Sequence, residues 1–304
     1  MIPLSIVAPF VLLALAALPG QAAVPERLQA IFPGPAELRT VHGAADLVKL
    51  LQPADFTPAG IRDRGLPPLF VTNLPADSGG RGTRQEEALF LAIMLPHIVA
   101  VNTFIGTQRV RLLRLEKEKR TGKKLSPKDR TWLQALAKEY DLPGVDFTRL
   151  KLRVDYLPPS LGLAQAIVES AWGRSRMAHE GNALFGLHLP KGSKAPFIKA
   201  KNAEVKVAAY DTIFAGVQAW AHNLNHTPAY RGLRTLRAAM RTDNRPVVSG
   251  ATLARGLAGY SARGKAYVRN LQEIIKRHRL DQFDDPLPVF RPVRPLLVTC
   301  RLRS

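Results

Sequence analysis

The chain reads as an α+β protein, mainly helical. Three observations predict that class. Apolar residues recur at three- and four-residue spacing through most of residues 83–283, capping signals stand where those stretches begin, and there is one convincing pair of strand-like runs. Taken in order, residues 24–82 are rich in Pro and Gly, as in "FPGPAELRTVHGA" and "PADSGGRG", and predict an irregular lead-in. Thr83 and Glu86 have the spacing of a capping box. Leu89, Ile93, Val101 and Ile105 then form a broken apolar stripe in which Pro96 predicts a kink. "RVRLLRLEKEKRTGKK" continues that stripe as a charged helix end and loop. Ser126 followed by Pro127 opens a second helix, "RTWLQALAKEY", which stops at "DLPG".

From about residue 143 the pattern changes to compact helical units. "PPSLGLAQAIVESAW" puts Leu161, Ala164, Val168 and Trp172 on one face. "APFIKA" and "EVKVAAY" read as the two strands of a short hairpin turned at "KNA". Asp211 and Thr212 open the helix "IFAGVQAWAHNLN", with Asp211 its simplest cap. "AYRGLRTLRAAMR" and "GKAYVRNLQEIIKRHRL" are two basic amphipathic helices, and "RPVRPLLVTCRLRS" is a Pro/Arg tail. The predicted organisation is a signal peptide at 1–23, the lead-in at 24–82, a helical extension at 83–142, a compact domain at 143–283 and the tail at 284–304.

Composition narrows the function. A chain of 304 residues, 46% hydrophobic, can bury a sizeable core. Lys and Arg number 44 against 24 Asp and Glu, so a formal charge of +20 favours anionic partners such as nucleic acid, acidic membranes or cell-wall polymers. The single cysteine, Cys300, leaves no internal disulfide and no Cys-based metal cluster. "IPLSIVAPFVLLALAALPGQAA" has the apolar run and small-residue ending of a secretory signal, although no Lys or Arg precedes it; a single-pass anchor is the rival reading. Past that run, no segment reads as long and apolar enough to span a membrane. Export argues against a nucleic-acid partner.

Several chemistries are disfavoured by spacing. His222 and His226 are four apart on one helix, but no third ligand is evident, so they read as packing or hydrogen-bonding groups and no metal is expected. Ser170 and Ser175 lie in no nucleophile elbow. "GLAGYSARGK" has neither phosphate-loop nor dinucleotide spacing, and no cofactor is expected.

One carboxylate stands out. Between Ser160 and Ser175 the only charged residues are Glu169 and Arg174, whereas a solvated helix face carries several. On a helical wheel Gly162, Ala166, Glu169 and Gly173 share a nearly side-chain-free lane beside the bulky stripe of Leu161, Val168 and Trp172. A carboxyl against Trp172 and aliphatic neighbours has its pKa raised, since desolvation disfavours the anion. A glutamic acid kept protonated near neutral pH can give its proton to a leaving oxygen.

The stretch "LAQAIVESAWGRSRMAHEGNALFGLH" resembles the glucosaminidase motif of bacterial cell-wall hydrolases of glycoside hydrolase family 73, in the form of the Bax-type subgroup. "LPPLFVTNLP", "FLAIMLPHIVAVN", "NLNHTPAYRGLR" and "LAGYSARGKAYV" are similar to segments of the same subgroup, and the resemblance runs from about residue 66 to 280. It implies a lysozyme-like α+β fold with a small β-hairpin lobe that cuts the β-1,4 bond after N-acetylglucosamine in peptidoglycan. Glu169 then matches the catalytic acid, and Asn182, Leu184, Phe185 and Gly186 match the segment shaping the cleft. Tyr260 matches the tyrosine bordering the cleft, and Trp172 is expected to line it.

Glycosidases usually flank the bond with two carboxylates. Glu180, Glu204 and Asp211 are the candidates for the second, and Glu204 is preferred because it opens the second strand of the hairpin lobe. Activation of water by Glu204 and assistance by the substrate's own acetamido group stay open as alternatives. The reading is a periplasmic peptidoglycan hydrolase acting on glycan strands, without cofactor or metal, without nucleic acid, and without a stable membrane anchor once the signal is removed. A catalytically silent peptidoglycan-binding protein is the alternative.

Overall fold

A computed structural model describes residues 37–51, 58–75, 77, 83–190, 192–199, 205–242, 247–285 and 288–290. The predicted signal, the hairpin turn, Glu204 and Cys300 lie outside the described residues.

The described chain begins with strand β1 (Glu37–Arg39), helices α1 (Ala44–Leu51) and α2 (Pro58–Arg64), and strand β2 (Leu69–Val71). β1 and β2 pair in parallel with Leu38 opposite Phe70, both side chains buried. This part of the predicted irregular lead-in is therefore ordered structure. The pairing joins residues about thirty apart, and strands of three residues leave too little alternation to read as strands.

Helix α3 (Arg84–Arg120) is the spine of the molecule. Its capping box forms as the sequence predicts: Thr83 Oγ1 accepts from Glu86 N at 3.3 Å, and Glu86 Oε2 accepts from Thr83 N at 3.0 Å. Helical conformation continues through the buried Pro96. By length and composition α3 is apolar enough to cross a membrane, which corrects the sequence expectation. Most of that apolar stretch is buried inside the protein, because neighbours cover the helix on nearly every side. Helix α4 (Pro127–Glu139) starts at the predicted cap, with Ser126 Oγ accepting from Asp129 N at 3.1 Å. Then come α5 (Phe147–Arg153), α6 (Pro159–Ser170) and α7 (Arg176–Gly181), and the antiparallel hairpin of β3 (Phe197–Lys199) with β4 (Lys206–Ala208). Helices α8 (Ile213–His226), α9 (Arg231–Thr242), α10 (Gly250–Leu253) and α11 (Lys265–Arg277) complete the α-helices of the described residues, with short 3-10 helices at Pro228–Tyr230, Ala254–Leu257 and Leu280–Phe283. Thr212, not Asp211, caps α8: its side chain accepts from Ala215 N at 3.1 Å, while Asp211 is exposed. The chain is thus mainly helical with small sheets, the α+β class expected.

A single apolar core runs from Leu38 to Phe283, so the helices between 83 and 142 share it with those after 143. Its centre is α6, which packs against α3 and α11. The small-residue lane of α6 is not an open approach route. A Cβ on Gly162 would stand 2.9 Å from the Trp220 ring and 3.0 Å from Ile98 Cδ1, so the lane is the seam through which α3 and α8 press on α6.

Two buried carboxylates tie this core together. Asp155 receives both ends of the Arg241 guanidinium at 2.6 and 2.7 Å, with Arg237 Nε at 3.5 Å and Arg109 Nε at 3.6 Å. The buried Arg237 also donates to the carbonyls of Leu152, Asp155 and Tyr156 and to Asn225 Oδ1, clamping α5, α8 and α9. Asp284 accepts from Ser160 N and Oγ at 3.0 and 2.6 Å and from Gly250 N at 2.9 Å, supplying the acceptor that the Pro158 start of α6 lacks. Burial pushes the Asp284 carboxyl up to about 6.

Candidate active site

Helix α6 ends abruptly. Ala171, Trp172 and Gly173 have φ of 52°, 62° and 76°, three consecutive left-handed residues, and Ser170 Oγ braces the turn by donating to Ala166 O and accepting from Gly173 N. For the two residues with a Cβ this costs on the order of 1 kcal/mol each. The helical wheel thus fails after Ser170, and Trp172 does not lie one turn beyond Glu169. Its ring instead meets His278 at 4.7 Å and Phe90 at 5.9 Å, edge to face. The indole expected to wall the acid packs between α3 and the end of α11.

Glu169 occupies the last turn of α6, half-buried. Facing it is the backbone of Gly186, whose φ is +59°; a Cβ there would stand 3.3 Å from Glu169 Oε2. A side chain would be both strained and crowded, so glycine is what lets this loop lie against the carboxyl. Burial pushes the Glu169 pKa up, while the nearby Tyr267 hydroxyl and the charge of Arg263 pull it part of the way back. The C-terminal end of α6 carries the negative pole of its dipole, which also favours the protonated acid.

The Tyr267 hydroxyl is oriented from behind. Trp220 Nε1 donates to Gln165 Oε1 at 2.9 Å, and Gln165 Nε2 donates to Tyr267 Oη at 3.0 Å, all three side chains buried. With its oxygen accepting from Gln165, the phenol has its own proton left to present to Glu169. Gln165 lies four residues before Glu169, on the same face of α6.

Tyr260 donates to Phe185 O at 2.8 Å and stacks on Tyr267 with ring centroids 5.6 Å apart. It thus fastens the Phe185–Gly186 segment against the acid. Tyr230 lies 5.8 Å from Tyr260, ring to ring. Burial pushes the phenols of Tyr210, Tyr230, Tyr260 and Tyr267 up, Tyr210 to about 12, and the nearby charge of Glu169 adds to the effect at Tyr230, Tyr260 and Tyr267. All four are neutral at physiological pH and able to donate.

Of the other expected cleft residues, Asn182 sits left-handed at the end of α7 (φ 49°) and donates through Nδ2 to Tyr210 O at 3.0 Å. Phe185 is buried, its ring stacked on Trp220 at 4.9 Å, so it supports the loop from below and cannot touch a substrate. The hairpin rests on α7: a Cβ on Gly181 would be 2.6 Å from Ile198 Cδ1, and Arg176 donates to Lys199 O at 2.7 Å.

The second carboxylate is not found among the described residues. Glu180 is exposed and paired with Arg176 at 2.6 Å, Asp211 is exposed, and Glu204 is outside the described set. His222 and His226 stack at 4.1 Å and bond the carbonyls of Glu139 and His222. Tyr267, Gln165, Arg263, Tyr210 and Tyr230 escaped the sequence reading. Gln165, a lone amide in an apolar helix at i−4 from the acid, was the available signal.

Residues 146–280 match the glucosaminidase family, described as mannosyl-glycoprotein endo-beta-N-acetylglucosaminidase. Protein bax of Escherichia coli (strain K12) is 34% identical over 195 residues, spanning 61% of this chain and 67% of that protein. Among solved structures, a peptidoglycan hydrolase from Sphingomonas sp. A1 aligns with 49% of this chain and 91% of its own, at 20% identity and a TM-score of 0.34. The catalytic domain of the autolysin Auto from Listeria monocytogenes aligns with 57% of this chain and 97% of its own, at 19% identity and a TM-score of 0.33.

Proposed function

The chain belongs to the glucosaminidase family as a Bax-type glycoside hydrolase, and from that premise we propose that it cuts the β-1,4 bond after N-acetylglucosamine in peptidoglycan, with Glu169 as general acid. The observation that carries the reading is a half-buried carboxyl with a raised pKa, lying against a side-chain-free loop at Gly186 with the Tyr267 hydroxyl nearby. Protonated Glu169 gives its proton to the glycosidic oxygen as the bond to the anomeric carbon breaks. The Tyr267 hydroxyl and the charge of Arg263 steady the carboxylate that remains. Tyr260 and Asn182 act as positioning residues, holding the loop at Phe185 and Gly186 in register with the acid. Glu204 activates the attacking water; the substrate's acetamido group is the competing source of assistance. The protein works in the cell envelope, delivered by the apolar leader.

Digestion of purified sacculi followed by mass spectrometry of the products tests this. Fragments ending in reducing N-acetylglucosamine are expected, and Glu169→Gln is expected to lower their release by about 10²- to 10⁴-fold. Reducing or anhydro-muramic ends sink the bond assignment, and no release by the unmodified chain marks a binding protein instead. Glu204→Gln separates the two sources of assistance: loss of release supports Glu204, while full retention supports the acetamido group.

A further inference from the structure

At the end of α3 remote from the acid, the loop to α4 and the start of α5 frame an open surface cavity of about 370 Å³. Phe90, beside Trp172, and Arg120, at the far tip, are separated by roughly 45 Å of helix at 1.5 Å per residue. The floor of the cavity is apolar, made by Leu125, Leu133, Val145 and Phe147, and Val145 is 38% exposed. Its rim is cationic: Lys119, Lys123, Lys124 and Arg130. Lys119 Nζ hangs 5.6 Å from the Phe147 ring, and Arg130 donates to Leu125 O, so two of the stems line the apolar walls.

The carboxylates nearby are already engaged. Glu118 accepts from Arg114 at 2.7 Å and lies 3.3 Å from Lys123, Asp129 is held by Arg111 and Ser126, and Asp146 caps α5. Among the described residues, Lys119, Lys124 and Arg130 pair with no carboxylate. An apolar pocket whose rim carries Lys119, Lys124 and Arg130 without a carboxylate partner, and Lys123 sharing Glu118 with Arg114, complements a ligand that is an apolar chain with an anionic head.

We infer that this tip docks on anionic phospholipid, its Lys and Arg residues meeting headgroup phosphates and its apolar floor receiving the upper part of an acyl chain. The contact is peripheral and reversible, and it orients the molecule with Glu169 directed away from the bilayer surface. It is independent of the bond that Glu169 cleaves.

Sedimentation of the purified full chain with phosphatidylcholine vesicles containing one-third phosphatidylglycerol, and with vesicles of phosphatidylcholine alone, tests the inference. Neutral vesicles read out any contribution of the apolar N-terminal run. The expected result is salt-sensitive binding to the anionic vesicles, weakened about fivefold for each lysine removed and so about 25-fold in Lys123→Gln/Lys124→Gln. Val145→Asp is expected to weaken it as well. A control pair on the exposed end of α11, Lys276→Gln/Arg277→Gln, is expected to change binding less than twofold, with release from sacculi unchanged in Lys123→Gln/Lys124→Gln. Absence of binding to anionic vesicles overturns the proposal, and so does equal weakening by the control pair, which indicates diffuse charge. If retention on purified sacculi, rather than on vesicles, falls in Lys123→Gln/Lys124→Gln, the occupant is a wall polymer and the lipid assignment is wrong.

Discussion

Asp155 and Glu169 are both acids withdrawn from water in a mostly apolar core, and the protein treats them in opposite ways. Around Asp155 stand Arg241, Arg237 and Arg109, one of them bidentate, and the side chain is 3% exposed. Glu169 has no cation in hydrogen-bond contact; its neighbours are a phenol, a glycine backbone and, at longer range, Arg263. A saturated carboxylate is a fastener whose proton is of no use. One left without a paired cation keeps its proton at higher pH and can give it away.

The sharpest way to break this contrast is to neutralise both acids. Glu169→Gln is expected to abolish nearly all release from sacculi while leaving the urea unfolding midpoint unchanged or slightly raised, since it removes an imperfectly compensated acid. Asp155→Asn is expected to cost about 3–5 kcal/mol of stability, because the surrounding guanidinium groups lose their anion, yet to leave the rate per folded molecule intact at permissive temperature. If Glu169→Gln unfolds the protein, or Asp155→Asn silences folded enzyme, the division of labour is wrong.

Gly186→Ala tests the loop. A left-handed φ and a Cβ 3.3 Å from the acid are expected to cost about 1 kcal/mol of stability, with kcat falling more than KM rises. An unchanged kcat would show that this loop does not position Glu169.

Tyr267→Phe bears on the pH profile. A general acid works protonated, so kcat/KM falls as pH rises through the Glu169 pKa. Tyr267 lowers that pKa, so removing its hydroxyl raises it, and the alkaline limb is expected to move to higher pH. Arg263→Gln is expected to move it the same way by less. A limb that stays fixed in both variants assigns it to another group.

The smallest expected effect concerns Asp284, intermediate between the two. Its folded pKa is raised to about 6 from an ordinary 3.8. The stabilisation linked to its protonation is therefore fully present below about 4 and is lost as pH rises through 6. Urea midpoints at pH 7 and pH 5 are expected to differ less in Asp284→Asn than in the unmodified chain. Equal differences remove Asp284 from the account.

What the sequence determined by itself was local. The Thr83–Glu86 box and the Ser126–Pro127 start were legible because donor and acceptor lie within three residues of each other, and the isolation of Glu169 among apolar neighbours was legible for the same reason. Only the tertiary structure decided what the acid faces. Trp172 was misplaced because nothing in Ala171 or Trp172 announces a left-handed backbone; the turn it makes seats Gly173 so close to Leu74 and Phe90 that a Cβ there would stand 2.9 to 3.0 Å from their side chains. Tyr267 is oriented near Glu169 by Gln165, itself held by Trp220, contacts that join residues 102 and 55 positions apart. The parallel strands and the arginines on Asp155 likewise join residues far apart in sequence. Short-range hydrogen bonds leave their signature in adjacent letters, whereas which buried charge is paired, and which is left able to react, depends on how separate helices close around it.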